Sequence, residues 1–174
     1  MLPKNIIAQL EGGDRRTIGR SDKVAAMVSR NPKQFPKLIA CLWSPDPLVR
    51  MRAADATEKA TRRNPEFLQP YKQDLLGLMA DAKEQELRWH LAVMVPRLLL
   101  NTRERRLATG CLNRYLEDRS SIVGTFALQG LADLAQADPS LRPAVIGVLR
   151  ESARNGSPAM KARSRKLLFR LERT

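Results

Sequence analysis

The apolar positions of this chain recur at three- and four-residue intervals along most of its length. Between residues 87 and 115 they form two such stripes, separated by the polar segment LNTRER. The first stripe contains Leu87, Leu91, Val95 and Leu98, and the second contains Leu107, Cys111, Leu112 and Tyr115. Because this spacing places side chains on one face of an α-helix, the pattern predicts two helices joined by a turn. Few aromatic residues and many Leu, Ala, Val and Met residues favour an all-α fold.

The two-helix pattern repeats along the chain. Asparagine or aspartate followed by Pro or Thr occurs at separations of 33, 37 and 37 residues, at Asn31-Pro32, Asn64-Pro65, Asn101-Thr102 and Asp138-Pro139. A second series opens the first helix of each unit, at Val49-Arg50, Leu87-Arg88, Val123-Gly124 and Met160-Lys161. In this register Leu91 and Leu128 occupy equivalent positions, and both are predicted to be buried. A fixed period of this length is typical of helical-repeat proteins.

Candidate helix ends support the repeat boundaries. Asp46-Pro47 and Ser157-Pro158 place a capping side chain before a proline at the first helical position, and Ser120-Ser121 offers hydroxyl caps. Pro96 is predicted to bend a helix running from residue 84 to 100. Residues 1 to 11, with Leu2, Ile6, Ile7 and Leu10, are expected to form a short helix before a loop ending at residue 21. Residues 22 to 174 are then expected to form one repeat domain.

The segment SPDPLVRMRAADA, with its Asp-Pro turn, Val-Arg pair and Ala-Ala pair, resembles a HEAT repeat, the helical hairpin of an armadillo-like α-solenoid family. The resemblance covers residues 22 to 174. It implies a right-handed α-solenoid of about four hairpins with a C-terminal capping helix. Gly124 and Lys161 replace the repeated arginine in two units, which interrupts the ladder of polar contacts that the resemblance implies.

The residues that commonly carry catalysis are sparse. His90 is the single histidine and is interpreted as a packed helical residue, and Gly12-Gly13 lacks the lysine of a phosphate-binding loop. We therefore expect a protein that is not an enzyme and has no cofactor or metal site. Some HEAT-like proteins are DNA glycosylases, but a catalytic aspartate flanked by tryptophans is not matched, because Trp89 lies on an outer helix and Trp43 near a turn. Cys41 and Cys111 are expected to be reduced and packed.

The net charge of +13 is concentrated at the ends of the chain. Residues 1 to 37, 38 to 153 and 154 to 174 carry +5, +2 and +6 respectively. The N-terminus does not resemble a signal peptide and no apolar run is long enough to span a membrane, so we expect a cytoplasmic protein without membrane contact. The basic balance predicts an acidic protein surface as the partner, with nucleic acid as the alternative.

The repeat assigns different roles to the basic side chains. Arg50 is expected to support its neighbouring repeat, whereas Arg52, Lys59, Arg62 and Arg63 are expected on a solvated outer face. The second, inner helices should present a polar row that binds the partner. The predicted binding residues of that row are Lys72, Arg103, Arg106, Arg142 and Arg150. The row lacks aromatic residues that would stack on unpaired bases, so single-strand recognition is not expected.

Overall fold

A computed structural model describes residues 6 to 14 and 17 to 173, and these form α-helices joined by short turns without any strand. The helices are α1 (Ile6–Leu10), α2 (Ser21–Arg30), α3 (Phe35–Ala40), α4 (Pro47–Thr61), α5 (Lys72–Asp81), α6 (Gln85–Met94), α7 (Thr102–Leu116), α8 (Ser121–Ala137), α9 (Arg142–Asn155) and α10 (Pro158–Leu171). The all-α expectation is confirmed. Within the same ranges, no helix combines the length and apolar character needed to cross a bilayer.

The chain divides into two compact units, Met1–Pro70 and Tyr71–Thr174. In the first unit α2 packs on α4, and α1 packs on both. Val24 and Val28 of α2 are fully buried, and Leu10 at the end of α1 is buried with them. The predicted N-terminal helix is found at Ile6–Leu10, while Leu2 lies outside the described residues. The predicted division at residues 21 and 22 falls inside this unit, and a single domain over residues 22 to 174 stays a prediction.

In the second unit α6 packs on α8 and α8 packs on α10. Helix α7 also packs on α8, α9 packs on both α8 and α10, and α5 packs on α7. Gly130 allows the close approach of α6 and α8, because a Cβ there would lie 2.3 Å from the carbonyl oxygen of Ala92. Leu91 and Leu128 are both fully buried, which confirms their predicted burial.

The predicted helix ends are confirmed in part. The Asp46 side chain accepts a hydrogen bond from the Leu48 amide at 2.8 Å, and the Ser157 hydroxyl accepts one from Met160 at 3.3 Å. Ser120 makes no capping side-chain bond, so that prediction is wrong. The helix predicted over residues 84 to 100 is also wrong in its length, because it ends at Met94 and continues as a single 3₁₀ turn. A proline in the interior removes a backbone donor and crowds the preceding turn, which favours ending the helix over bending it.

Candidate interaction surface

The predicted binding residue Lys72 is committed to a contact inside the protein. Its Nζ lies 2.8 Å from Oε2 of Glu104, and its side chain is only 23% exposed. Gln73 donates a second hydrogen bond to the other carboxylate oxygen at 2.7 Å. Both donors come from α5 and the acceptor is at the start of α7, so this ion pair joins α5 to α7. Lys72 therefore contributes little free positive charge to the surface.

Glu104 also forms the N-terminal cap of α7. Its side chain accepts from the Asn101 amide at 2.8 Å, and the Asn101 side chain accepts from the Glu104 amide at 2.9 Å. These reciprocal bonds form a capping box that satisfies two amides at the helix start. The hydrogen bond from Lys72, followed by those from Asn101 and Gln73, lowers the pKa of Glu104 below its usual value. The carboxylate is thus held ionised beside the inner helices.

Arg103 and Arg106 are the uncommitted cations of α7. Both are exposed, and among the described residues neither side chain makes a hydrogen bond or ion pair. Arg103 borders a groove of about 450 Å³ between α5 and α7, which we call the first groove. Arg106 borders a groove of about 430 Å³ between α7 and the turn that precedes α9, the second groove. The structure therefore places these two predicted binding residues at adjacent openings on one helix.

The side chains of Arg142 and Arg150 are less available to a partner than those of Arg103 and Arg106. The Arg142 Nε lies 3.4 Å from the carbonyl oxygen of Ala135, at the long end of the hydrogen-bond range. Arg150 is 63% exposed and lies 3.0 Å from a carboxylate oxygen of Glu172. An exposed pair of this kind exchanges readily with water and with other anions. The five predicted residues thus differ in availability, with Arg103 and Arg106 the most available.

The acidic side chains that border the first two grooves are already neutralised. Glu104 in the first groove is paired with Lys72, and Asp138 in the second groove accepts a hydrogen bond from Arg105. Hydrogen bonds from Ser140, together with Arg105, lower the pKa of Asp138. Because each carboxylate has its own cation, the charges of Arg103 and Arg106 remain in excess at the two openings. The local balance on the surface is therefore positive.

An exposed glycine lies on each of the helices α5, α7 and α9. Gly77, Gly110 and Gly147 are separated by 33 and 37 residues, all are exposed, and an added Cβ at each would meet nothing within 4 Å. Gly77 borders the first groove, Gly110 the second, and Gly147 a third groove of about 490 Å³ beside α9. Glycine inside a helix costs about 1 kcal/mol relative to alanine. No contact among the described residues requires these three glycines, in contrast to Gly130.

Sequence reasoning missed this glycine series. The signal was available, since a glycine follows each of the last three Asn or Asp turns, 13 residues after Asn64 and 9 residues after both Asn101 and Asp138. The apolar stripe on α7 was also misassigned at one position, because Leu107 is 45% exposed whereas Ala108 is fully buried. Leu107 instead borders the first groove and gives it an apolar wall.

Arg50 holds the turn before its own helix, whereas it was expected to support the neighbouring repeat. Its guanidinium donates to the carbonyl oxygens of Ser44 at 2.6 Å and Pro45 at 3.1 Å. The equivalent Arg88 donates to the carbonyl oxygen of Ala82, also six residues upstream, at 2.8 Å. The repeated arginine therefore fixes the turn that precedes each of these helices.

Arg52 contradicts the expected solvated outer face. It is only 2% exposed, and its guanidinium donates to four backbone carbonyl groups of the N-terminal segment. The acceptors are those of Leu10 at 2.9 Å, Gly12, Asp14 at 3.1 Å and Thr17 at 3.3 Å. Arg52 lies in register with the buried Val49 and Ala56, so the helical period itself directs the side chain inward. A guanidinium with its fork of donors suits several carbonyls at once.

The remaining basic side chains of this region are partly committed. Lys59 is 24% exposed and bridges Asp22 at 2.5 Å and Asp55 at 2.7 Å. Burial lowers the pKa of Lys59, but the hydrogen bonds and charges of the two carboxylates outweigh it, so the net pKa is raised. Arg62 forms an ion pair with Glu58 at 2.7 Å while staying 61% exposed. Arg63 is exposed, as expected.

The residues considered for catalysis are packed in the interior or stacked on neighbours. His90 is 1% exposed and its Nδ1 lies 2.6 Å from the Glu86 carbonyl oxygen, as expected for a packed histidine. Trp89 stacks on Phe126 with ring centroids 5.0 Å apart. Cys41 and Cys111 are buried free thiols, which confirms that expectation, and burial raises the pKa of both. In the described ranges, no group of three or more His, Cys, Asp or Glu side chains is arranged to hold a metal ion.

Comparison with known proteins found no relative of this chain. The chain matches no known family, and no curated protein is similar to it. The resemblance to HEAT repeats therefore rests on the segment around residues 44 to 56 and on the period.

Proposed function

We propose that this chain is a non-catalytic HEAT-type scaffold that binds an acidic protein through the inner helices of the second unit. In this proposal the hairpins stack as a right-handed α-solenoid, and the exposed faces of α5, α7 and α9 form the binding surface. The observation that carries the proposal is the excess charge of Arg103 and Arg106, which lie beside grooves whose carboxylates are already paired.

The glycine series supports a closely applied partner. Without a Cβ at Gly77, Gly110 and Gly147, the main chain of a ligand can approach the helix surface more closely than at an alanine. The protein gives up helix propensity at three exposed positions, and an interaction with a partner supplies a reason for that cost. A glycine beside each of the three grooves is what one extended ligand along α5, α7 and α9 requires.

The lining of the grooves favours a protein over nucleic acid. Leu76 and Leu107 border the first groove, and Leu141 borders the second, so apolar side chains accompany the arginines. Mixed apolar and arginine surfaces are typical of the centres of protein interfaces. Among the described residues, no aromatic side chain borders any of the three grooves, so the described lining offers no stacking on bases.

The test compares two charge reversals of equal size. Arg103→Glu with Arg106→Glu should weaken binding to the partner captured from cells by about 5- to 30-fold, since each exposed charged contact contributes about 0.5–1 kcal/mol. The control is Lys33→Glu with Arg63→Glu, which changes two exposed cations that border none of the three grooves and should have a much smaller effect. Both should be measured with purified partner at matched salt.

Two outcomes would contradict the proposal. If the control reversal weakens binding as much as the α7 reversal, the inner helices are not the binding surface. If the captured partner is lost on nuclease treatment, and random duplex DNA binds with an affinity that collapses as salt rises, the ligand is a nucleic acid held through phosphates.

A further inference from the structure

A further basic groove, separate from the three grooves described above, lies in the first unit between α2 and α3. It has a volume of about 500 Å³ and we call it the α2–α3 groove. Its lining includes Lys23, Met27 and Arg30 from α2, and Asn31, Gln34 and Lys37 from the following turn and α3. None of these residues belongs to the surface proposed above, and the inference does not depend on that function.

The α2–α3 groove carries three cations without compensating acids. Lys23, Arg30 and Lys37 are exposed, and within the described ranges their side chains make no hydrogen bond or ion pair. The sequence contains no acidic residue from position 23 to position 45. The preceding acid, Asp22, is engaged with Lys59 at 2.5 Å and does not line the groove. The groove therefore has an unbalanced charge of three within one small opening.

The order of side chains along α2 defines a pattern that a ligand must match. Val24 and Val28 are buried on the opposite face, which leaves Lys23, Met27 and Arg30 in line on the groove side. In a helix, Lys23 and Arg30 are about 10.5 Å apart along the axis, with Met27 between them. The complement is an acidic group, an apolar group and an acidic group over the same length. Two glutamates seven residues apart on another helix, with an apolar residue midway, have this spacing.

We propose that the α2–α3 groove binds an acidic amphipathic helix of a partner protein. The carboxylates of that helix lie on Lys23 and Arg30, its apolar side chain rests on Met27, and Lys37 binds a further carboxylate from the opposite wall. The amide side chains of Asn31 and Gln34 can donate to or accept from polar groups at the edge of the helix. A phosphate backbone matches this groove less well, because it has nothing apolar to place on Met27.

The probe is an alanine-rich helical peptide with two glutamates seven residues apart and a leucine midway between them on the same face. The reference peptide has the same composition with the leucine moved to the opposite face. Binding to the full-length protein is measured by fluorescence anisotropy at moderate salt. The first peptide should bind more tightly, by about 5-fold, because burying one apolar side chain contributes roughly a factor of this size.

Charge reversal of Lys23, Arg30 and Lys37 together should weaken binding of the first peptide by about 10- to 100-fold, as three exposed charged contacts are lost. The matched control reverses Arg20, Lys33 and Arg63, which are exposed cations of the same unit that do not line the groove. The control should change binding by less than about 3-fold. Met27→Ala should remove the difference between the two peptides, which tests the apolar contact separately from the charges.

Circular dichroism and thermal unfolding should show that both triple variants remain folded, since every substituted side chain is exposed. If the groove reversal does unfold the protein, replacement of the three cations by glutamine is used in its place. Equal losses in the groove and control variants would overturn the proposal. It would also be overturned if both peptides bind equally, or if random duplex DNA binds in a groove-dependent manner while the peptide does not.

Discussion

Helices α4 and α7 carry similar numbers of basic side chains and differ in how many of them bind groups of the protein itself. In α4 the basic side chains bind groups of the protein itself: Arg50 holds its own turn, Arg52 holds the N-terminal segment, and Lys59 bridges two carboxylates. In α7 the acid Glu104 is held by Lys72, while Arg103 and Arg106 stay exposed without a described partner. The positive charge of α4 is therefore bound within the protein, whereas part of the positive charge of α7 is exposed, although the two sequences look equally basic.

This difference shows that a basic stretch does not indicate a binding surface by its charge alone. Beside α4, four backbone carbonyl groups of the N-terminal segment accept hydrogen bonds from Arg52. The guanidinium of Arg52 is therefore engaged inside the protein and is not available to a partner. A cation becomes available to a partner only when the neighbouring acceptors already have donors. The number of unsatisfied acceptors nearby, rather than the number of cations, separates the two helices.

The largest effect is expected from Arg52→Ala. The substitution leaves four backbone carbonyl groups without their donor and opens a cavity, so the free energy of unfolding should fall by about 3–5 kcal/mol. Urea denaturation measures the loss, and hydrogen exchange should show faster opening of residues 11 to 20. The matched control, Arg63→Ala, should change stability by less than about 0.5 kcal/mol. Similar small losses in both variants would mean that the two kinds of arginine are not different.

A smaller effect is expected from Gly19→Ala. Gly19 has a φ of +55°, and an added Cβ would lie 2.7 Å from Cζ of Arg52. Both the left-handed backbone and the contact disfavour alanine, so the free energy of unfolding should fall by about 1–3 kcal/mol. In an Arg52→Ala background the loss should be smaller, because only the backbone strain remains. A double-mutant cycle that gives no coupling would show that Gly19 does not make room for the guanidinium.

Glu104→Gln should change how stability depends on pH. The pKa of Glu104 is lowered in the folded protein, so its ion pair stabilises the fold above the unfolded value of about 4.3 and this contribution is lost as pH falls through the folded pKa. The stability difference between the native protein and the variant should therefore be largest near neutral pH and shrink below about pH 4. Lys72→Met should reproduce this behaviour, whereas a difference that stays constant with pH would show that the ion pair is not responsible.

The smallest effect has the opposite sign. Gly110→Ala should raise the free energy of unfolding by about 0.5–1 kcal/mol, because the helix gains propensity and the added Cβ meets nothing within 4 Å. The control Gly130→Ala should destabilise, since its Cβ would lie 2.3 Å from the Ala92 carbonyl oxygen. Under the proposed function, Gly110→Ala also weakens partner binding while stabilising the protein. If this variant binds the partner more tightly, the glycines do not belong to the binding surface.

Much of the fold follows from the sequence because helix periodicity acts locally. The recurring apolar positions correctly placed Leu91 and Leu128 in the interior, and the Asp-Pro and Ser-Pro pairs correctly marked two helix starts. The end of α6 did not follow, since Pro96 can either bend a helix or end it, and the choice depends on how the next residues pack.

The candidate site was less accessible to sequence reasoning. Lys72 and Arg103 look alike in the sequence, yet one meets Glu104 from the neighbouring hairpin and the other does not. Such pairings span about 30 residues and depend on the rotation of each helix, which the period fixes only approximately. For Arg52 the position within the buried stripe was visible, but its charge was taken as a sign of exposure. A charged residue in register with Val49 and Ala56 is better interpreted as one with internal acceptors.

The four bonds from Arg52 also set an order for folding during synthesis. The carbonyl group of Leu10 is made 42 residues before the guanidinium that it accepts from. At a synthesis rate of about 5–20 residues per second, that interval is roughly 2–8 s. During this interval the carbonyl groups of α1 and its loop accept from water in place of Arg52, and a helix of this length is not stable alone. The segment around Leu10 is therefore expected to be the last of its unit to become ordered, after α4 has formed against α2.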